Sequence, residues 1–201
     1  MKKPFITLLF LIFIFFCTLA QTTTLTIELQ KNSSIVIQGS SNLLSFRLSQ
    51  SGEKLLKKSV VITATQTQNQ ILLSHNSYSI LVNNFTSNNK MALSDFLQLV
   101  KSDIFPSLQV QLKYIEPIPK VLDNVYSKGK AFVNITITGV TKQYLIPITS
   151  EKKGDLYSFI GDKRINIRDF GLIPPVKMMG LIKVSEWIDI EFNIFCKITS
   201  K

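Results

Sequence analysis

From Trp187 to Lys197 the chain alternates. Ile188, Ile190, Phe192, Ile194 and Cys196 share one parity, and Asp189, Glu191, Asn193 and Lys197 share the other with Trp187 and Phe195. A period of two over that length predicts a strand with one dry face. Residues 129–138 repeat the pattern, with Ala131, Val133, Ile135 and Ile137 on one side and Asn134, Thr136 and Thr138 on the other. They meet Gly139-Val140-Thr141-Lys142, which reads as a turn, and the pattern resumes through Tyr144, Ile146 and Ile148, so a hairpin is expected. Shorter apolar or β-branched runs lie at 25–29, 35–37, 44–48, 59–65, 78–82, 108–114, 156–160 and 165–167, several separated by turns rich in Gly, Asn, Ser or Lys. One segment departs from this period: Leu93, Phe96, Leu97 and Val100 recur at helical spacing, predicting a helix around 94–101 that Pro106 keeps short. About ten strands and one helix predict an all-β domain, either a closed antiparallel barrel or a sandwich. Closure has the advantage of leaving no sheet edge exposed.

The first twenty residues follow a different rule. Lys2 and Lys3 precede an apolar stretch from 5 to 19 that only Thr7 and Thr18 interrupt, and Ala20-Gln21 follows. A charged start, an apolar centre and a small residue at the cut predict a secretory signal over 1–20, cleaved after Ala20. The stretch is short for a membrane span of roughly 20 residues. The domain then occupies 21–201 in one piece, and its expected location is periplasmic or secreted. Cleavage would remove two lysines and no acid, taking the formal charge from +10 to +10 − 2 = +8. It would also remove Cys17, leaving Cys196 without an intrachain partner, so the core must hold the fold. The basic residues form short scattered clusters, such as Lys54, Lys57 and Lys58, with no aromatic-interleaved stripe or nucleic-acid motif, so no nucleic acid is expected as a partner.

Catalytic constellations are missing. The single histidine, His75, lies in Leu73-Ser74-His75-Asn76-Ser77, a polar turn between strands, where no nucleophile and base are paired. One histidine and one remaining cysteine cannot supply the usual zinc sets. Asp189 and Glu191 read as part of an outward polar row. Asp169-Phe170-Gly171 spells a kinase signature without the glycine-rich and catalytic loops that would give it meaning. The sequons at Asn32, Asn84 and Asn134 are three-residue patterns that chance supplies, and Asn134 falls inside an expected strand. Neither an enzyme, a cofactor nor a metal is expected. What remains is shape: Phe46, Phe132, Phe170, Met178, Met179 and Leu181 exceed what the alternating rows need, and they either complete an ordinary core or line an interior that holds a lipophilic ligand.

The order of the motifs resembles that of the YceI-like family across nearly all of 21–201. Gly39-Ser40-Ser41-Asn42 resembles its early turn, and 91–106 its short helix followed by a proline entry into a strand, here Phe105-Pro106-Ser107-Leu108-Gln109-Val110. Residues 129–141 resemble its hairpin strand, Arg168-Asp169-Phe170-Gly171 its late step, and 188–198 its last strand. Two places depart: Leu44-Ser45-Phe46 stands where a Trp is common, and Pro174-Pro175-Val176-Lys177-Met178-Met179-Gly180 replaces a polar approach to the last strand. The resemblance implies an extended antiparallel lipocalin-like barrel of about eight to ten strands with one short helix, and an apolar isoprenoid-like lipid as partner. A homodimer and a peripheral contact with a membrane surface are both compatible with it. Strand parity nominates Val110 and Leu112, Val133, Ile135 and Ile137, and Ile190, Phe192 and Ile194 as ligand-binding rows, with Phe46, Met178 and Met179 near a mouth. Lys163, Arg164 and Arg168 are candidates for a phosphate headgroup. Two other readings stand beside this one: a solid barrel whose basic surface binds an acidic partner, and an outer-membrane barrel, which would also alternate.

Overall fold

In a computed structural model, residues 21–55, 59–67, 69–117 and 126–200 are described. The signal segment lies outside them. Thirteen strands are seen, β1 (Gln21–Leu29), β2 (Ser34–Ser40), β3 (Ser45–Ser51), β4 (Val60–Gln66), β5 (Ile71–Ser74), β6 (Tyr78–Leu81), β7 (Ser107–Pro117), β8 (Tyr126–Ile137), β9 (Val140–Lys153), β10 (Leu156–Asn166), β11 (Val176–Lys177), β12 (Ile182–Lys183) and β13 (Trp187–Ser200). Every pairing is antiparallel. The ring β1-β4-β5-β7-β8-β9-β10-β13 closes through β13 onto β1, giving an eight-stranded barrel, while β2, β3 and β6 extend it beyond the closed ring. Closure gives every strand of that ring a neighbour on both sides.

The extension is built from strands broken in the middle. β13 pairs with β1 through Leu25↔Ser200 to Leu29↔Cys196, and then with β2 through Ser34↔Asn193 to Gln38↔Asp189. β1 and β2 are therefore one bent strand, and Ser33 fills its break. The Ser33 hydroxyl accepts from the Phe195 N–H (3.0 Å), replacing a missing ladder bond, and donates to the Phe195 carbonyl (3.1 Å), which also takes the Gln30 N–H at 2.8 Å. β3 and β4 face this bent strand and are parted by the short helix α1 (Gly52–Leu55). Here Gly52 N–H donates to the Ser33 carbonyl at 2.6 Å, and any Cβ would stand 2.5 Å from the Gln30 carbonyl oxygen, so glycine is the residue that fits. β5 and β6 repeat the device along β7, with the buried Asn76 at the break accepting from Leu112 N–H at 2.7 Å.

The helix α2 (Lys90–Leu99) begins four residues before the apolar spacing suggests, because Asn89 caps it by accepting from Ala92 N–H at 3.0 Å. It ends with Lys101 in the left-handed region and Ser102 N–H on the Leu97 carbonyl, the Schellman closure. Phe96 packs against both halves of the core, edge-on to Phe85 with 5.3 Å between ring centroids. The hairpin turn is two residues, Thr138 and Gly139, both at positive φ, as a type I′ turn requires, so Val140, Thr141 and Lys142 belong to β9 instead of the turn. Residues 165–167 do not form a strand of their own: Ile165 and Asn166 end β10, and a 3-10 turn, Ile167–Phe170, follows. That turn stops at Gly171 (φ 73°) and drives Phe170 into the core, which gives Asp169-Phe170-Gly171 a purely architectural role.

Candidate binding cavity

Because the strands alternate, one row of each points inward, and the rows do not meet at the centre. They enclose a cavity of about 640 Å³. Val110 and Leu112 of β7, Val133, Ile135 and Ile137 of β8, and Ile190, Phe192 and Ile194 of β13 all stand on its wall, as does Phe46 of β3. The rows of β1, β4 and β10 complete it through Ile27, Ile62 and Phe159. The alternation of Leu25, Ile27 and Leu29 was the signal for the first of these. A solid interior, as the interaction-protein reading requires, is not what the rows build.

Met178 and Met179 are not on the wall. They form the turn between β11 and β12, both at positive φ, and project into solvent, Met179 fully. Their strands are two residues long, too short for parity to decide a facing; Lys177 and Ile182 beside them do reach the cavity. Of the other apolar residues in excess, Phe170 is buried core, and Leu181 is exposed. Phe132 pairs outside with Tyr114, their rings stacked 4.8 Å apart. Lys163, Arg164 and Arg168 are also off the wall. The Lys163 ammonium donates to the Leu145 carbonyl (3.2 Å) where β9 and β10 part, Arg164 lies over Trp187 and near Asp189, and Arg168 pairs with Glu186.

The mouth is built by loops that carry no periodic signal. Leu43 and Leu44 line the cavity while 64% and 69% exposed, and Met91 at the start of α2 does the same. Asn42 ties this loop to β12: its amide donates to the Leu181 carbonyl (2.8 Å) and its Oδ1 accepts from Lys183 N–H (2.9 Å). The β11–β12 hairpin is tied to α2 by Lys177, whose ammonium lies 2.6 Å from Asp95 Oδ1. Lys177 and Asp95 are the charged residues of the lining among the described residues, and they neutralise each other. Deeper in, polar groups are few. Tyr78 reaches in from β6 near Cys196, and burial followed by that neighbour raises its phenol above the ordinary range. Burial also pushes the Cys196 thiol up to about 11. No group of three or more His, Cys, Asp or Glu side chains is placed to hold a metal among the described residues. The arrangement can enclose apolar surface, and among the described residues it pairs no nucleophile with a base.

No family model matches the sequence, and no curated protein matches it. Solved structures do. Burkholderia cenocepacia BcnA superposes with a TM-score of 0.54 at 14% identity, over 81% of this chain and 95% of that one. A polyisoprenoid-binding domain from Saccharophagus degradans, implicated in plant cell wall breakdown, gives 0.54 at 9% identity over 85% and 97%. The Campylobacter jejuni YceI protein is 21% identical over 65% and 72%, with a TM-score of 0.44. The chain thus has the barrel fold of BcnA and of the polyisoprenoid-binding domain, the architecture that its sequence resemblance to the YceI-like family implies.

Proposed function

We propose that this protein is an exported, non-enzymatic binding protein that holds a long apolar chain, isoprenoid-like, inside its barrel. The observation that carries the reading is the apolar cavity of about 640 Å³, a volume within the usual range for small-molecule sites. An apolar chain would be held by area, at about 25 cal/mol per Å² removed from water. The fold it shares with a domain described as polyisoprenoid-binding supports that choice of ligand. Export places the barrel in the periplasm or outside the cell. There the exposed rim of Leu43, Leu44 and Met91 would meet a membrane surface, with Lys90 and Lys183 beside it to face anionic headgroups. Native mass spectrometry of the protein purified from its own envelope tests the reading. A mass increment that organic extraction converts to a prenyl lipid is expected. An empty barrel that also refuses added polyprenol would overturn it.

A further inference from the structure

The methionines are segregated. Of the four in the chain, Met1 stands in the expected signal segment, and Met91, Met178 and Met179 all stand at the mouth. Thioethers ordinarily fill irregular gaps in cores, but the wall below the mouth is built mainly of Ile, Leu, Val and Phe, and no methionine among the described residues is buried. Met179 is fully exposed, and Met178 and Met91 are 66% and 60% exposed. Two elements bring the three to one rim. Met91 and Asp95 lie four residues apart on α2, hence on one face, and Asp95 holds Lys177, the residue before Met178. Met178 and Met179 themselves adopt left-handed backbone (φ 51° and 54°), where a side chain costs energy that glycine would avoid. The turn alone would be better served by glycine, so the side chains account for methionine at these positions.

We propose that Met91, Met178 and Met179 are sites of reversible sulfoxidation by hydrogen peroxide, and that their oxidation releases the rim from a membrane surface. This rests on the membrane contact proposed for the rim and adds a regulation to it. A thioether sulfur lone pair attacks one peroxide oxygen, the O–O bond breaks and an S–O bond forms. The proton on the transferred oxygen passes to the departing hydroxide, leaving one sulfoxide and one water; sulfur loses two electrons and the peroxide gains them. The product is polar and prefers water to acyl chains, so the rim loses the apolar contact that holds it to the surface. Cys196, the other oxidisable sulfur, is buried with its thiol protonated, and peroxide attacks it more slowly.

The test offers the purified protein to phosphatidylglycerol vesicles before and after treatment with hydrogen peroxide. Binding is read by cosedimentation, and each methionine by peptide mass spectrometry. The folded protein is expected to gain one oxygen at each of Met91, Met178 and Met179 while Cys196 stays a thiol, and to bind vesicles about tenfold more weakly. Reduction by the two epimer-specific methionine sulfoxide reductases with dithiothreitol should restore the affinity. This step decides the matter on the unmodified chain, without relying on the folding of any variant. A variant combining Met91→Leu, Met178→Leu and Met179→Leu should bind equally before and after peroxide. Methionines that stay unoxidised in the folded protein, a loss that the reductases do not reverse, or a loss that persists in the leucine variant would each overturn the proposal. Unoxidised protein that ignores the vesicles would overturn the membrane contact and this inference with it, whereas binding that is unchanged once the methionines are oxidised would sink the inference alone.

Discussion

Gly39 and Gly161 decide how much of the interior stays open. Gly39 lies opposite Phe46 and Gly161 opposite Phe192, and each aromatic ring rests on the bare backbone of its glycine. A Cβ at Gly161 would stand 2.5 Å from the tip of the Phe192 ring and 2.8 Å from the Pro147 carbonyl oxygen. The carbonyl belongs to a paired strand, so the ring must give way, and the direction open to it is the cavity. Gly161→Ala is therefore expected to cost about 1–3 kcal/mol in a denaturant titration, and to reduce uptake of a long apolar probe. Cys196 supplies a pH-dependent counterpart. Its folded pKa of about 11 lies above the ordinary thiol value of 9.0, so the folded state binds the proton more tightly than the unfolded one. The resulting stability is fully present below pH 9 and is lost between about 9 and 11. Urea midpoints measured across that window should fall, less steeply in Cys196→Ala. At neutral pH the native thiol should resist alkylation until the chain unfolds.

At the scale of elements, the breaks matter more than the strands. Ser33 is 2% exposed and exchanges two hydrogen bonds with the Phe195 backbone. Ser33→Ala leaves the Phe195 N–H without its acceptor, while the Phe195 carbonyl keeps the Gln30 N–H at 2.8 Å; the expected loss is about 1–3 kcal/mol, read as a lowered midpoint with unchanged denaturant dependence. The Lys177–Asp95 pair holds the β11–β12 hairpin on α2. Asp95→Asn should raise hydrogen exchange over 176–183 and speed release of bound apolar probe, with little change in global stability because the pair is only partly buried. None of this was readable along the chain. Alternation identifies a strand because inward residues recur at every second position, and so it reported 129–138, 188–198 and their dry rows. It cannot report that β1 and β2 continue one another, because the two-residue offset between them exists only relative to β13. Asn76 was legible as a turn residue for the same reason that its structural role was not. Its partner, Leu112 N–H, is thirty-six residues away.

For the whole molecule, the barrel and most of its inner wall followed from parity, while the mouth did not. Val133, Ile135 and Ile137 line the cavity because a strand in a closed ring has one inside, but Leu43, Leu44 and Met91 sit in a loop and a first helical turn, where position depends on what the loop is tied to. Those ties leave apolar side chains in water around the opening: Ile173, Val176, Met178, Met179 and Leu181 are exposed on the segment that leads into and out of the β11–β12 hairpin, and Leu43 and Leu44 on the loop bonded to it. Keeping so much apolar surface exposed is unfavourable unless something covers it, and the proposed membrane contact supplies the cover. It predicts that the protein binds phosphatidylglycerol vesicles and is released as salt rises, since the surface attraction is screened within about 10 Å at 0.1 M. Lys183→Ala should weaken vesicle binding by roughly 1 kcal/mol at low salt. Leu43→Asp with Leu44→Asp should abolish it at all salt concentrations, because it removes the apolar contact and adds repulsion. A cosedimentation series separates these contributions, and transfer of a prenyl probe from vesicle to protein should slow in parallel with the loss of binding. Binding that persists in the double aspartate variant would place the membrane contact elsewhere on the molecule, and transfer that stays fast without binding would show that the ligand enters from solution.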